Sequence, residues 1–161
     1  MLLAIPLLAL LWLAAIVAAP LLPPLVSAVV YAAGSLVCHQ IPERSFHLGG
    51  SQLAVCARCV GIYAGAAGGA VAALALRLPI HAPTRTVRWI RPILAVAVLP
   101  TVVTVVLEML GLWFPTNELR ALAGVPFGVA IAFVVTAFAK VHYDSCAPRR
   151  RTAPSPPPPP I

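Results

Sequence analysis

The chain has 161 residues, of which 61% are hydrophobic and only 9% are charged, and its formal net charge is +7. A soluble domain of this length could not bury so much apolar surface, since average composition is about half apolar and about a quarter charged. The basic residues flank apolar runs, which is typical of membrane topology signals rather than of a nucleic-acid-binding surface. We therefore expect the partner of this chain to be a lipid bilayer, with no nucleic acid bound.

Four apolar runs are long enough to cross a bilayer as helices, because a hydrocarbon core of about 30 Å needs roughly 20 residues. They cover residues 2–19, 53–78, 93–114 and 119–139. The expected fold class is all-α: an integral membrane four-helix bundle formed by residues 1–145. The proline-rich tail, residues 146–161, is predicted to be disordered and cytoplasmic.

The first run has a rival interpretation as a cleaved secretory signal, because Ala18 and Ala19 resemble a cleavage site. A basic n-region is missing and the apolar run is long, which favours a retained helix. Three prolines then interrupt the helix, and residues 25–37 follow as an apolar segment too short to span. This segment is predicted to be an extra short helix at the interface, or the end of a long kinked first span.

Glycines recur at every fourth position in the second run, at Gly61, Gly65 and Gly69. Such spacing places the glycines on one face, where two helix backbones can approach closely in lipid. This face is the predicted contact for a neighbouring helix or for a homo-oligomer.

Charge determines the expected orientation. With four spans, the loop after the second run and the C-terminal tail share one side, where eight basic residues and one aspartate give a net charge of +7. On the other side three arginines balance three glutamates. The positive-inside rule therefore places both termini in the cytoplasm of a cell-membrane protein and the loop before the second helix outside.

That outer loop holds three of the four cysteines, Cys38, Cys56 and Cys59, and two of the four histidines, His39 and His47. Thiolate and imidazole groups in such a cluster are typical ligands of a tetrahedral zinc or related metal site. The first hypothesis is a metal site, structural or transport-related, made by the three cysteines and one of the two histidines.

A second hypothesis is thiol–disulfide exchange, because a Cys-x-x-Cys pair at a helix N-terminus has lowered thiol pKa values. Cys38 would then be the resolving or relay thiol for Cys56 and Cys59. Four membrane helices with such a pair are similar in outline to the membrane oxidases that pass electrons from disulfides to quinone. A third hypothesis is a structural or assembly protein in which the cysteines only hold the loop in place.

Charged groups near the ends of membrane helices need partners. We expect Glu108, Asn117 and Arg120 to cluster with Arg58 beneath the cysteine loop, supported by Arg44. This cluster is either a salt bridge between helix ends or part of the functional site.

The loop resembles a family of small predicted bacterial membrane proteins of uncharacterised function. The motif Cys-His-Gln-x-Pro-Glu-Arg-Ser-Phe begins here at Cys38, and Cys-x-Arg-Cys-x-Gly-Ile-Tyr-x-Gly begins at Cys56. A further family element, Asn-x-x-Arg before a glycine-spaced helix, begins at Asn117. In that family pattern the third helix carries Asp and Gln where this chain has Thr104 and Glu108. The resemblance implies a membrane protein with an outer Cys/His motif, and it implies no reaction.

Overall fold

The computed structural model describes residues 3–75 and 83–146. Within these ranges the chain forms five α-helices and one short β-hairpin between the second and third helices. The helices are α1 (Ala4–Ala18), α2 (Pro24–Ser35), α3 (Ala57–Ala75), α4 (Pro83–Met109) and α5 (Asn117–Cys146).

Within the described residues, four segments are long and apolar enough to cross a membrane, which confirms the expected fold class. They are Ala4–Leu21, Ala57–Ala75, Ile90–Met109 and Asn117–Thr136. The first of them combines α1 with the 3₁₀ turn that follows it. The extra helix α2 has 12 residues and is therefore about 18 Å long, too short to span.

Two helix bounds near the outer loop differ from those predicted, for local reasons. Helix α3 begins at Ala57 rather than at residue 53, because the Leu53 amide donates to the Phe46 carbonyl and continues the hairpin pairing. Helix α4 ends at Met109 rather than at residue 114. Gly111 there adopts φ 67°, the left-handed conformation that ends many helices.

At the other end of the bundle, α4 and α5 extend beyond the predicted spans. Helix α4 begins at Pro83, ten residues earlier than expected, because the arginine-rich segment is helical and proline is tolerated in a first helical turn. Helix α5 continues to Cys146. The rest of the predicted tail, residues 147–161, lies outside the described residues.

The hairpin in the outer loop consists of β1 (His47–Leu48) and β2 (Ser51–Gln52), paired antiparallel. Gly49 and Gly50 connect the strands, with φ values of 59° and 84°. Two consecutive positive φ angles are characteristic of the two-residue turn that matches the twist of a hairpin.

The glycine face of α3 packs against α5 of the same chain. A Cβ atom at Gly61 would overlap the Ala121 carbonyl, and one at Gly65 would overlap the Val125 carbonyl. Two glycines of α5 make the matching contacts from the other side. Gly128 lies against the backbone of α3 at Ile62 and Ala66, and Gly124 lies against the backbone carbonyl of Arg58. The close backbone approach predicted for Gly61, Gly65 and Gly69 is therefore made within one chain, with α5 as the neighbouring helix. Formation of a homo-oligomer stays a prediction.

Outward-facing side chains of the bundle are mostly apolar. Among the exposed residues of α1 and α4 are Leu8 and Leu11, Val96 and Leu99. Only 6% of the α4 span Ile90–Met109 is buried within the protein. Such surfaces match a lipid environment, because they would be an aggregation liability in water.

We expect Gly65→Ala to lower the free energy of unfolding by about 1–3 kcal/mol, because the new methyl group meets backbone atoms of α5 that cannot rotate away. Gly68→Ala is the matched control, since nothing lies within 4 Å of the added atom. Reversible unfolding in mixed detergent measures both variants. Equal stability of the two variants would contradict the tight α3–α5 contact.

Candidate functional site

Cys38 is held just beyond the end of α2. Its amide donates to the Gly34 carbonyl at 3.0 Å, which closes the last turn of the helix. A side chain at Gly34 would overlap the Ala54 carbonyl, so only glycine lets the end of α2 lie against the segment that leads into α3. The motif that begins at Cys38 and the motif that begins at Cys56, 18 residues later, are brought together by this contact.

Gln40 connects three parts of the outer loop. Its Nε2 donates to the carbonyls of Tyr31 at 2.8 Å and Ala54 at 2.7 Å, and its own carbonyl accepts from Gln52 Nε2 at 2.9 Å. Its φ is 51°, a conformation that residues other than glycine rarely adopt. The hydrogen bonds offset this strain and fix the turn that follows Cys38.

The sulfur atoms of Cys38, Cys56 and Cys59 lie within 4.8 Å of one another. Cys56 Sγ and Cys59 Sγ are 3.5 Å apart, because a Cys-x-x-Cys pair at a helix start places both side chains on one side. Cys38 Sγ accepts the amide hydrogen of Cys56 at 3.1 Å and that of Gln40 at 3.5 Å. These two amide hydrogen bonds stabilise negative charge on the sulfur.

The cysteines lie beside an apolar cluster. Ile16 and Val55 are fully buried, and Trp12 and Tyr63 pack against them, with the two rings edge to face at 6.1 Å.

The pKa of Cys56, which precedes the membrane-spanning part of α3, is lowered to about 5, mainly because its thiolate accepts a hydrogen bond from the Cys59 thiol. Smaller contributions come from Cys38 and from the positive charge of Arg58. A thiolate at Cys56 is the reactive form both for metal binding and for nucleophilic attack.

The two candidate histidines do not join the sulfur cluster in this structure. His39 is exposed and lines the pocket beside the cysteines. His47 lies exposed on β1, and it is not among the residues that line this pocket. Among the described residues, the group of potential metal ligands at this place consists of the three cysteines and contains neither histidine. The choice between His39 and His47 as a fourth ligand stays a prediction.

Beneath the cysteines, Glu108 contacts three arginines from three parts of the chain. Its Oε1 lies 2.7 Å from Arg120 Nη2 and 3.1 Å from Arg44 Nε, and its Oε2 lies 3.5 Å from Arg58 Nη2. Both Glu108 and Arg120 are buried, with 7% and 8% of their surface exposed. The carboxylate therefore connects the ends of α3, α4 and α5 nearest the cysteines to the loop before α3.

Asn117 extends this cluster to the cysteine loop. Its Oδ1 accepts from Arg120 Nη1 at 2.8 Å, and its Nδ2 donates to the Ser45 carbonyl at 3.0 Å. Ser45 is fully buried, and its hydroxyl donates to the Ile41 carbonyl. The structure thus brings together all five residues of the polar cluster considered from the sequence.

A pocket of about 140 Å³ lies between the cysteines and the arginines. It is lined by the three cysteines, by three arginines and by the turn after α2. The lining residues are Val37, Cys38, His39, Gln40, Ile41, Arg44, Cys56, Arg58, Cys59 and Arg120. The pocket therefore exposes thiol sulfur on one side and guanidinium groups on another.

Two residues that organise this site received no role in the sequence analysis. Gln40 is part of the loop motif, but a single sequence gives no indication of its positive φ. Thr104 lies one turn before Glu108, and its hydroxyl accepts a hydrogen bond from Arg58 Nη2 at 3.4 Å. In the sequence, the available signal for Thr104 was a polar residue among the valines of the third apolar run.

Residues 38–134, more than half of the chain, match the family described as predicted membrane protein (DUF2085). An uncharacterized protein of Methanocaldococcus jannaschii is 35% identical over 112 residues, which cover 68% of this chain and 68% of that protein. An uncharacterized protein of Methanothermobacter thermautotrophicus is 32% identical over 96 residues, which cover 60% of this chain and 81% of that protein. No solved structure matches this chain.

Both relatives are archaeal. The description of the family as bacterial, expected from the resemblance, is therefore not confirmed by these matches. The expectation of an uncharacterised family of membrane proteins is confirmed by the family match.

We expect Glu108→Gln to lower the free energy of unfolding by about 3–5 kcal/mol, because it leaves buried guanidinium groups without their carboxylate. Glu43→Gln, in the same loop, is the control: Glu43 is exposed and forms no ion pair within the described residues. Unfolding in detergent, followed by circular dichroism, compares the two variants. A Glu108→Gln protein as stable as Glu43→Gln would contradict a structural role for the carboxylate.

Proposed function

The chain belongs to the DUF2085 family of predicted membrane proteins, and on this basis we propose that it is a multi-pass membrane protein that binds a metal ion through Cys38, Cys56 and Cys59. The observation that carries the proposal is the mutual proximity of three sulfur atoms, all within 4.8 Å. In a tetrahedral site with metal–sulfur bonds of about 2.3 Å, neighbouring sulfurs are about 3.8 Å apart. Small side-chain rotations bring the three sulfurs to that spacing.

The surroundings of the sulfurs support the same proposal. The amide hydrogen bonds to Cys38 Sγ are the kind of outer contact that orients a thiolate ligand and stabilises its charge. The lowered pKa of Cys56 favours a thiolate at that position at neutral pH. Sulfur ligands favour zinc or another thiolate-binding ion over magnesium or calcium.

Three protein ligands leave a fourth position for a tetrahedral ion. Structural zinc sites fill all four positions with side chains, whereas catalytic sites keep one for water or substrate. His39 lines the adjoining pocket and is the nearest histidine candidate in sequence for that position. The proposed role of the ion is structural or transport-related, and the identity of the fourth ligand separates a closed site from an open one.

Thiol–disulfide exchange is the second candidate, favoured by the 3.5 Å separation of the Cys56 and Cys59 sulfurs. In that reaction the two thiols form one S–S bond and release two protons and two electrons, which a quinone takes up to become a quinol. An apolar groove of about 870 Å³ between α4 and α5 shares no lining residue with the cysteine pocket. A quinone bound in that groove would not touch a residue that lines the cysteine pocket, so the thiols could not pass electrons to it by direct contact. For this reason thiol–disulfide exchange is the second candidate.

We expect purified protein to contain about one zinc ion per chain, because three thiolates at this spacing bind zinc tightly. Cys38→Ser and Cys59→Ser should each lose the metal, whereas Cys146→Ser, at the far end of α5, should retain it. Elemental analysis of the detergent-purified variants gives the stoichiometry. Metal-free protein with a reducible Cys56–Cys59 bond would overturn this proposal in favour of the second candidate, and the absence of both would indicate a purely structural role.

The cysteine site is proposed to face the outside of the cell, because the basic residues concentrate at the opposite end of the bundle. In intact cells a membrane-impermeant maleimide should then label Cys56 and Cys59 after metal removal. A variant that keeps only Cys146 should be labelled only after the cells are permeabilised. The reverse pattern would contradict the orientation.

A further inference from the structure

The pocket beside the cysteines carries more positive charge than its neighbours neutralise. Arg44, Arg58 and Arg120 all line it, and all three contact the same carboxylate, Glu108. Within the described residues Glu108 is the only acidic partner of these three arginines. Three guanidinium groups and one carboxylate leave a net charge of +2.

This excess charge is largely removed from water. The side chains of Arg58 and Arg120 are 15% and 9% exposed. The Nε atoms of both residues are buried and have no hydrogen-bond partner in the described part of the chain. Buried cations without enough counter-charge are costly, and at the end of a membrane bundle they usually mark a binding site.

The cysteines do not cancel the excess. As neutral thiols they leave it at +2, and three thiolates around a divalent ion contribute only −1. The exposed Glu43 lies beside Arg44 in sequence but forms no ion pair among the described residues. In both of these cases, and with a thiolate at Cys56 alone, the pocket keeps at least one uncompensated positive charge.

We propose that this pocket binds an oxyanion, a carboxylate or phosphate group, between the three arginines and the cysteine sulfurs. Guanidinium groups donate pairs of hydrogen bonds that match the oxygens of these groups. A volume of about 140 Å³ admits a group of that size. Arg44, whose side chain is 43% exposed, lies at the open side and can contact both Glu108 and the ligand. This inference rests on the arginines and does not depend on a metal ion.

The same chemistry is available from a small soluble anion and from the phosphate of a lipid headgroup, so the test has two arms. In the first, inorganic phosphate and acetate are titrated into the detergent-purified full-length protein at constant ionic strength. Saturable thermal stabilisation reports binding, because a ligand that binds only the folded state stabilises it according to its concentration and affinity. In the second arm, phosphatidylglycerol is titrated into bicelles of phosphatidylcholine that contain the protein.

Arg44→Gln is the test variant, because its partly exposed side chain can be replaced with little effect on folding. We expect it to weaken anion binding about tenfold or more, as one charge-assisted hydrogen-bond donor is lost. Arg91→Gln is the matched control: it removes the same charge from an exposed position of α4 outside the pocket and should leave the affinity unchanged.

Saturable binding of the soluble anions would identify a soluble ligand, and saturation by phosphatidylglycerol alone would identify a lipid headgroup. Both outcomes support the oxyanion pocket when Arg44→Gln weakens the binding and Arg91→Gln does not. Absence of saturation in both arms, or equal weakening by the two variants, would overturn it. Metal content is measured separately, so failure of the metal proposal remains distinguishable from failure of this one.

Discussion

The end of this bundle that carries the cysteine site depends on one buried carboxylate. Glu108 accepts from arginines of α3, α5 and the loop, and without it three positive charges would meet at a place of low dielectric constant. Because each arginine comes from a different part of the chain, the carboxylate fixes the relative positions of these parts. Asn117 connects the cysteine loop to this group of charged residues, because it accepts a hydrogen bond from Arg120 and donates one to the Ser45 carbonyl of the loop.

A second constraint, the glycine contact between α3 and α5, acts together with the carboxylate. Backbone atoms of the two helices touch at Gly61, Gly65 and Gly128, so the register of one helix against the other is determined by shape. That register sets Arg58 of α3 and Arg120 of α5 at the same height as Glu108. In lipid, where apolar burial gives little preference between helix faces, close packing of this kind provides much of the specificity.

Metal binding and oxyanion binding, the two proposals for the pocket, are compatible because they use different residues of one cavity. The three cysteines and the three arginines all line it. The apolar cluster around Ile16 and Val55 includes Cys38, and Cys56 and Cys59 pack against that cluster. The cysteines therefore lie between an apolar part of the protein and the pocket.

The sequence alone was sufficient to predict the four spans and the short extra helix, since hydropathy and spacing act locally. It also indicated the partners of Glu108, because helix lengths place Arg58, Glu108 and Arg120 at similar depths. Only the tertiary structure decided that the Cys38 sulfur lies within 4.8 Å of those of Cys56 and Cys59. Those distances depend on the positive φ of Gln40 and on the fit of Gly34 against Ala54, which are contacts between distant parts of the chain that local patterns do not encode.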